Sequence, residues 1–263
     1  MSDLCAVVLA AGEGTRLRPL TLVRPKALCP VGNVPLLDRA LAHLADLDLT
    51  GPATVAANAA WLADQVRVHA RDRVHLSVEP RPLGTAGGVA RLREWISGRA
   101  VLVGNADAYL AGGSLAALLA GWDGATVRLL GAPATPGTVG TFSGYGFAGF
   151  SLLPWRWVRD LPAEGELVHA VWRPAEAAGR LEVVPFTGYF RDTGTPAGYL
   201  AANLHAAGSG SLIAPGATVT GRCQRAVVGE GARVHGDLTR AVVWPGAQVR
   251  PGERLTDAVR IGP

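Results

Sequence analysis

Apolar residues along the chain follow two alternating patterns. Asp3 to Ala10 is a short, nearly continuous apolar run that ends in glycines, as a buried parallel strand does. From Pro35 to Leu47, the residues Leu36, Leu37, Ala40, Leu41, Leu44 and Leu47 keep helical spacing, with proline near the first turn. The alternation then continues. Ala53 to Ala57, Val74 to Val78, Ala100 to Val103 and Thr126 to Leu130 read as strands, and Ala60 to His69, Thr85 to Trp95 and Ser114 to Ala120 as helices. Glu166 to Ala178 and Pro196 to Ala206 are helical in pattern, and Leu181 to Phe186 is extended. Gly131 to Leu153, rich in Gly, Pro and Thr, gives no clear period. Strands alternating with helices predict an α/β fold: a doubly wound, mostly parallel sheet with helices on both faces.

After Gly208-Ser209-Gly210 the period changes. Ile213, Val219, Val228, Val234, Val243, Val249, Leu255 and Ile261 recur mostly at six-residue intervals, with Pro-Gly pairs at 215–216, 245–246 and 251–252. Ordinary hairpins with regular turns would give a looser version of this. Sustained repetition favours a hexapeptide-repeat coil, a short left-handed parallel β-helix. A stack of two or three coils buries little alone, so its open end is expected to meet the rest of the chain or another subunit. Self-association into a homo-oligomer is the expectation carried forward.

Composition changes the picture modestly. In 263 residues, 49% are hydrophobic and 17% charged, as in a folded globular chain. The net charge of +4 suits anionic substrates. Lys and Arg do not cluster with aromatics, so nucleic acid is not an expected partner. Cys5, Cys29 and Cys223 form no CxxC pair, which argues against zinc and a disulfide framework. The start of the chain shows no secretory pattern and no apolar run has membrane-spanning length, so a cytoplasmic protein with no membrane partner is expected. Of 25 Lys and Arg residues only Lys26 is a lysine, which is either chance or the mark of a position where a compact ammonium is needed.

The first strand runs into Leu9-Ala10-Ala11-Gly12-Glu13-Gly14-Thr15-Arg16-Leu17. Glycines after a strand let backbone N–H groups approach a phosphate chain, while Thr15 adds a hydroxyl donor and Arg16 a planar fork. The spacing is neither that of a Walker loop nor of the GxGxxG fingerprint. Arg24-Pro25-Lys26-Ala27-Leu28-Cys29-Pro30-Val31 follows. Together these two blocks resemble the sugar-1-phosphate nucleotidyltransferase family, which includes mannose-1-phosphate guanylyltransferases and glucose-1-phosphate thymidylyl- and uridylyltransferases. Later segments extend the likeness over about residues 3 to 203. Glu79 to Gly88 resembles a Pro-Leu-Gly-Thr-Ala-Gly segment, Val103 to Asp107 an Asn-Gly-Asp strand end with Ala106 replacing Gly, and Phe190 to Pro196 a Trp-x-Asp-x-Gly-Thr-Pro segment. Trailing hexapeptide repeats also occur in members.

The resemblance implies a Rossmann-like catalytic domain over 1–208 and a hexapeptide-repeat segment over 209–263. It implies transfer of a nucleoside monophosphate from a nucleoside triphosphate to a sugar 1-phosphate. A sugar-phosphate oxygen attacks the α-phosphorus and pyrophosphate leaves. Both reactants are anionic, so catalysis is charge neutralisation and alignment. By resemblance Leu9, Ala11, Gly12, Gly14 and Thr15 cradle the triphosphate, and Pro82, Gly84 and Thr85 border the nucleobase. Arg16 stabilises the leaving phosphates and Lys26 neutralises the α-phosphate. Asp107 and Asp192, expected to end strands on one sheet edge, hold a magnesium ion, Mg2+.

One departure matters. Relatives carry a Glu-Lys-Pro segment whose lysine binds the sugar phosphate, and this chain has no second lysine. Phe147 to Pro154 resembles the strand that follows that segment, so Gly149 is expected to face the sugar, with Arg173 or Arg191 supplying charge. The Leu83 to Gly87 run points to guanosine triphosphate and mannose 1-phosphate. The compact middle and Val168 to Gly179 resemble muramate-1-phosphate uridylyltransferases. Two other classes compete: a silent regulatory subunit, against which Arg16, Lys26, Asp107 and Asp192 argue, and an acyltransferase built on the coil, which is short and has His235 as its sole histidine.

Overall fold

The computed structural model describes residues 4–134 and 140–262. The expected strand start at Asp3, and part of the unassigned middle stretch, lie outside them. The first strand, β1 (Leu4–Leu9), shows how the apolar runs are used. Ala6 and Val8 enter one buried cluster while Cys5 and Val7 enter another, so alternate side chains feed cores on opposite faces of the sheet. The strands β2 (Val55–Ala59), β3 (His75–Val78) and β4 (Ala100–Asn105) complete the expected first half.

A short ribbon strand, β5 (Ala108–Ala111), follows β4 directly. β6 (Val127–Pro133), β7 (Tyr145–Leu153) and β8 (Leu181–Pro185) then extend the large sheet, and β9 (Tyr189–Asp192) pairs antiparallel with β5. The seven-stranded order is β8-β6-β7-β4-β1-β2-β3, and β7 alone runs antiparallel to its neighbours. The unassigned middle thus supplies a nine-residue strand whose last six residues are buried. Its apolar run had no period because it is covered on both faces.

The helices match their patterns with three exceptions, one of them Ser114 to Ala120, which forms only a short 3-10 turn, Leu115–Leu118. α1 (Leu36–Ala45) buries Leu36, Leu37, Ala40 and Leu44, and α2 (Ala63–Ala70) buries Val66 and Ala70. The expected helix from Thr85 to Trp95 is two pieces, α3 (Gly84–Ala90) and α4 (Arg93–Ile96). Buried Leu92, at φ −93° and ψ 9°, interrupts the helical ladder between them. Glu166 to Ala178 becomes a π-helical turn, Val168–Trp172, leading into α5 (Arg173–Ala177). α6 (Pro196–Ala207) begins on a Thr195 cap whose hydroxyl accepts from the Gly198 N–H.

The final segment forms three short parallel sheets. Leu212 pairs with Val227 and Val227 with Val242, and the second and third sheets repeat the same stacking. Contacts between the first two coils join residues 15 apart, fewer than three hexapeptides would span. One corner accounts for the shortening: Arg225, Arg240 and Asp257 all take positive φ, near 50°, and turn the chain tightly there. The buried cluster of this coil, with Val228, Val234, Val243 and Trp244, is continuous with Leu17, Val31, Leu36 and Tyr199 of the preceding part.

Candidate active site

β1 and β4 lie side by side at the point where the strand order reverses, and the loops beyond their carboxyl ends form a cleft of about 430 Å³. The Ala106 N–H donates to the Leu9 carbonyl, which fixes the two strand ends together. The glycine loop then turns on Gly14, at φ 65° and ψ 34°. A side chain there is doubly excluded, since a Cβ would sit 2.7 Å from Thr21 Cγ2 and 3.3 Å from Lys26 Cβ. Gly12 differs: nothing lies within 4 Å of where its Cβ would be, so its backbone faces the open cleft.

Leu9, Ala11, Gly12, Gly14, Thr15, Arg16 and Lys26 all line this cleft. Lys26 is drawn in from the segment after α-helical Leu20–Val23, and its ammonium pairs with the Asp107 carboxylate. Its side chain is only 12% exposed, against 31% for Asp107. Thr193 anchors the opposite wall by donating its N–H and its hydroxyl to the Asp107 carbonyl, at 3.3 and 2.8 Å. Asp192 accepts from the Gly194 N–H at 2.7 Å.

Gly194 is where the charged groups meet. A Cβ on it would lie 2.9 Å from Asp192 Oδ1, 2.9 Å from Lys26 Nζ and 3.0 Å from Arg16 Nη2. Arg16 and Asp192 are 4.0 Å apart and both more than half exposed, so their attraction is weak and Arg16 is available to an anion. The two aspartates were expected on one sheet edge. Instead Asp107 follows a strand of the large sheet and Asp192 ends the β5–β9 ribbon, where it pairs in register with Ala108. Sequence periodicity does not show a ribbon that crosses over a sheet edge, and long-range pairing brings the carboxylates together.

Among the described residues no group of three or more His, Cys, Asp or Glu could hold a metal ion. A carboxylate on the first cleft, Asp107, and one on the second, Asp192, still suit Mg2+, which takes one or two carboxylates and completes its shell with phosphate and water oxygens. Asp107 and Asp192 fit that requirement.

Sequence reasoning missed the support beneath the glycine loop. Asn58, in β2, accepts from the Ala10 N–H at 2.6 Å and donates to Glu79 at 2.7 Å, and Glu79 also accepts from the Leu83 N–H. Both side chains are buried. The available signal was a polar residue inside the otherwise apolar run Val55–Ala59. Gly88 permits this packing, because a Cβ there would sit 2.5 Å from Asn58 Nδ2. Pro82, Gly84 and Thr85 line the same cleft, and Thr85 donates to Glu166 from both its N–H and its hydroxyl. Beside Lys26, burial pushes the Cys29 thiol up to about 12, outweighing the nearby Arg24 and Lys26 charges.

A second cleft, about 1020 Å³, is lined by Asp192 together with Trp172, Arg173, Tyr189 and Arg191. Arg191 is exposed and lies 5.8 Å from the Tyr189 ring centre. Arg173 pairs with Glu176 and lies 4.1 Å from the Phe142 ring centre. Gly149 lines neither cleft. Its φ of +87° and the 2.2 Å approach of Ala108 Cβ to any added Cβ give it a packing role.

A nucleotidyl transferase family model matches residues 5–150. The N-acetylmuramate alpha-1-phosphate uridylyltransferase of Neisseria meningitidis serogroup B is 38% identical over 109 residues, 39% of this chain and 46% of that protein. The enzyme of the same name from Caulobacter vibrioides is 36% identical over 45% of this chain and 52% of its own. The mannose-1-phosphate guanylyltransferase of Mycobacterium tuberculosis is 34% identical over 43% of this chain and 32% of its own. The matches thus span about half or less of these relatives. A solved structure of a putative glucose-1-phosphate thymidylyltransferase from Bacillus anthracis, in complex with a sucrose, superposes with a TM-score of 0.69. It covers 77% of this chain and 95% of that one at 18% identity, a likeness of fold.

Proposed function

The chain belongs to the nucleotidyl transferase family, and from that premise we propose that it transfers a nucleoside monophosphate from a nucleoside triphosphate to a sugar 1-phosphate. The observation that carries this reading is the convergence of Arg16, Lys26 and Asp192 on Gly194, with Asp107 paired to Lys26. The first cleft takes the triphosphate along the open backbone at Gly12, and the second takes the sugar 1-phosphate. Asp192 lines the second cleft and Gly194, two residues on, lines the first, so the two anions meet where the charges are gathered.

A phosphate oxygen of the sugar 1-phosphate attacks the α-phosphorus, the bond to the bridging oxygen breaks, and pyrophosphate departs with that electron pair. Lys26 neutralises charge on the α-phosphate and Arg16 the charge on the leaving group. Asp107 and Asp192 would hold Mg2+, which would supply charge neutralisation at the transferring phosphate. Arg191, exposed on the second cleft, takes the sugar phosphate in place of the absent lysine, and Arg173 closes the far wall.

The finer assignment is guanosine triphosphate with mannose 1-phosphate, supported by the Leu83 to Gly87 run and the M. tuberculosis relative. Uridylyl transfer to a muramate-type sugar is the second reading, supported by the Neisseria and Caulobacter relatives. Pyrophosphate release across four triphosphates and several sugar 1-phosphates decides between them. No release with any pair would end the transferase reading and leave a silent regulatory chain.

Residues 1–208 form the catalytic domain in this reading, and 209–263 a short left-handed parallel β-helix, its parallel stacking supported by three parallel sheets and its hand carried by the hexapeptide resemblance alone. Its last coil keeps Leu255, Val259 and Ile261 only half-buried, which supports self-association through that end. Sedimentation tests this, and a monomer at high concentration would refute it.

A further inference from the structure

One buried phenol ties three distant parts of the chain together. Tyr199, on the second turn of α6, is fully buried. Its hydroxyl donates to the Pro30 carbonyl and accepts from the Trp244 indole N–H at 2.9 Å. Pro30 lies four residues beyond Lys26, and Arg24, two residues before Lys26, lies 4.8 Å from the Trp244 ring centre. The strap that carries the lysine is therefore held at one end by Trp244 and at the other by Tyr199, which Trp244 itself hydrogen-bonds.

Two further bonds fix the same strap. Gly32 and Asn33, at φ 57° and 66°, form the tight turn between Pro30–Val31 and Val34–Pro35. The Gly32 N–H donates to Asn203 on α6, and the Asn33 amide donates to the Val228 carbonyl of the coil, both at 3.0 Å. The start of α6 follows directly on Asp192 and Gly194, which surround Lys26 and Arg16. No residue beyond Gly198 lines either cleft among the described residues, so any effect of the coil on the reaction is indirect, through these polar contacts and the apolar cluster it shares with Leu17, Val31 and Leu36.

We infer that the coil is a positioning element of the active site: Trp244 and Tyr199 hold the Arg24 to Val31 strap so that Lys26 meets Asp107 at the nucleotide cleft. This rests on the role given to Lys26 above. A buried hydroxyl whose donor and acceptor sites are both used has one orientation, so it fixes the backbone it grips. Tyr199 and Trp244 touch no substrate in this scheme. They set turnover by placing a residue that does.

Lys26 is the only lysine, so protein labelled with 15N-lysine gives one lysine amide signal. That signal reports the strap whether or not the protein is an enzyme. The variants are Tyr199→Phe and Trp244→Phe, with Val249→Ala as control. Val249 is buried in the same cluster but stands in a different sheet of the coil from Val242–Val243, beside Trp244. The two aromatic variants are expected to shift or broaden the lysine signal. They should lower kcat on the order of 10- to 100-fold, as displacements at a reacting centre do, with the triphosphate KM held within about twofold. The control should lower the melting temperature while leaving the signal and kcat near wild type. An unmoved signal and wild-type kcat in Tyr199→Phe would overturn the inference, as would the same kcat loss in the control at a matched melting temperature. If Trp244→Phe does not fold, Tyr199→Phe decides alone. If wild-type protein turns over no triphosphate, the functional reading fails while the lysine signal still decides the positioning role.

Discussion

Lys26 and Asp107, 81 positions apart in the chain, form an ion pair on the wall of the first cleft. The lysine is mostly shielded from water, so each charge depends on the other when no anion is bound. The pairing also places the only lysine of the chain beside the two carboxylates assigned to Mg2+.

Replacing Lys26 by Ala is expected to lower kcat by roughly 10²–10³, the usual cost of losing preorganised charge at a transferring group. Lys26→Arg should be nearly as poor, because a planar fork does not replace a point charge in a narrow pocket. Steady-state kinetics of both variants checks this, and turnover near wild type in Lys26→Ala would remove the lysine from the mechanism.

Activity is expected to require a divalent cation. Asp107→Asn and Asp192→Asn should each abolish measurable turnover at ordinary Mg2+ concentrations, since both carboxylates are needed as oxygen ligands. Triphosphate binding without metal should survive or tighten in either variant, because each removes a negative charge from an anion cleft. Calorimetry in chelator, alongside the assay, separates the two effects. Full turnover in excess chelator would reject the metal assignment.

Asn58→Ala should destabilise the fold by about 3 kcal/mol, because it strands the Ala10 N–H and removes one donor from the buried Glu79 carboxylate. Urea unfolding measures it. Since Ala10 opens the phosphate loop, the triphosphate KM should rise as well. A loss below about 1 kcal/mol would mean that water replaces the amide there.

Burial raises the Cys5 thiol to about 11 and the Cys29 thiol to about 12, so at pH 8 both remain protonated. A thiol reagent should therefore leave them unmodified in the native protein and react with them only on unfolding. Cys223 is half-buried and its thiol is also raised, by burial first and then by Asp237. It should react slowly and alone. The sign follows from the thiolate being the reactive form: native labelling of Cys5 and Cys29 should appear only as pH approaches the raised values. Rapid native modification of Cys29 at pH 8 would show that the strap opens.

The local pattern of the chain determined most of the elements. Continuous apolar runs gave the strands of a two-faced sheet, helical spacing gave α1 and α6, and the glycine loop with Lys26 marked one side of the cleft. These features are local, because strand burial, helix periodicity and left-handed glycines are written in neighbouring residues. What the tertiary structure decided is non-local. The β5–β9 ribbon brings Asp192 toward Asp107 across 85 positions of chain, and no local period encodes such a pairing. Asn58 and Glu79 are ordinary polar residues until burial forces each to satisfy the other. The coil was legible as a repeat, but its attachment was not. That attachment is a matter of which buried hydroxyl and indole find each other, and Tyr199 and Trp244 meet only where the coil packs against α6.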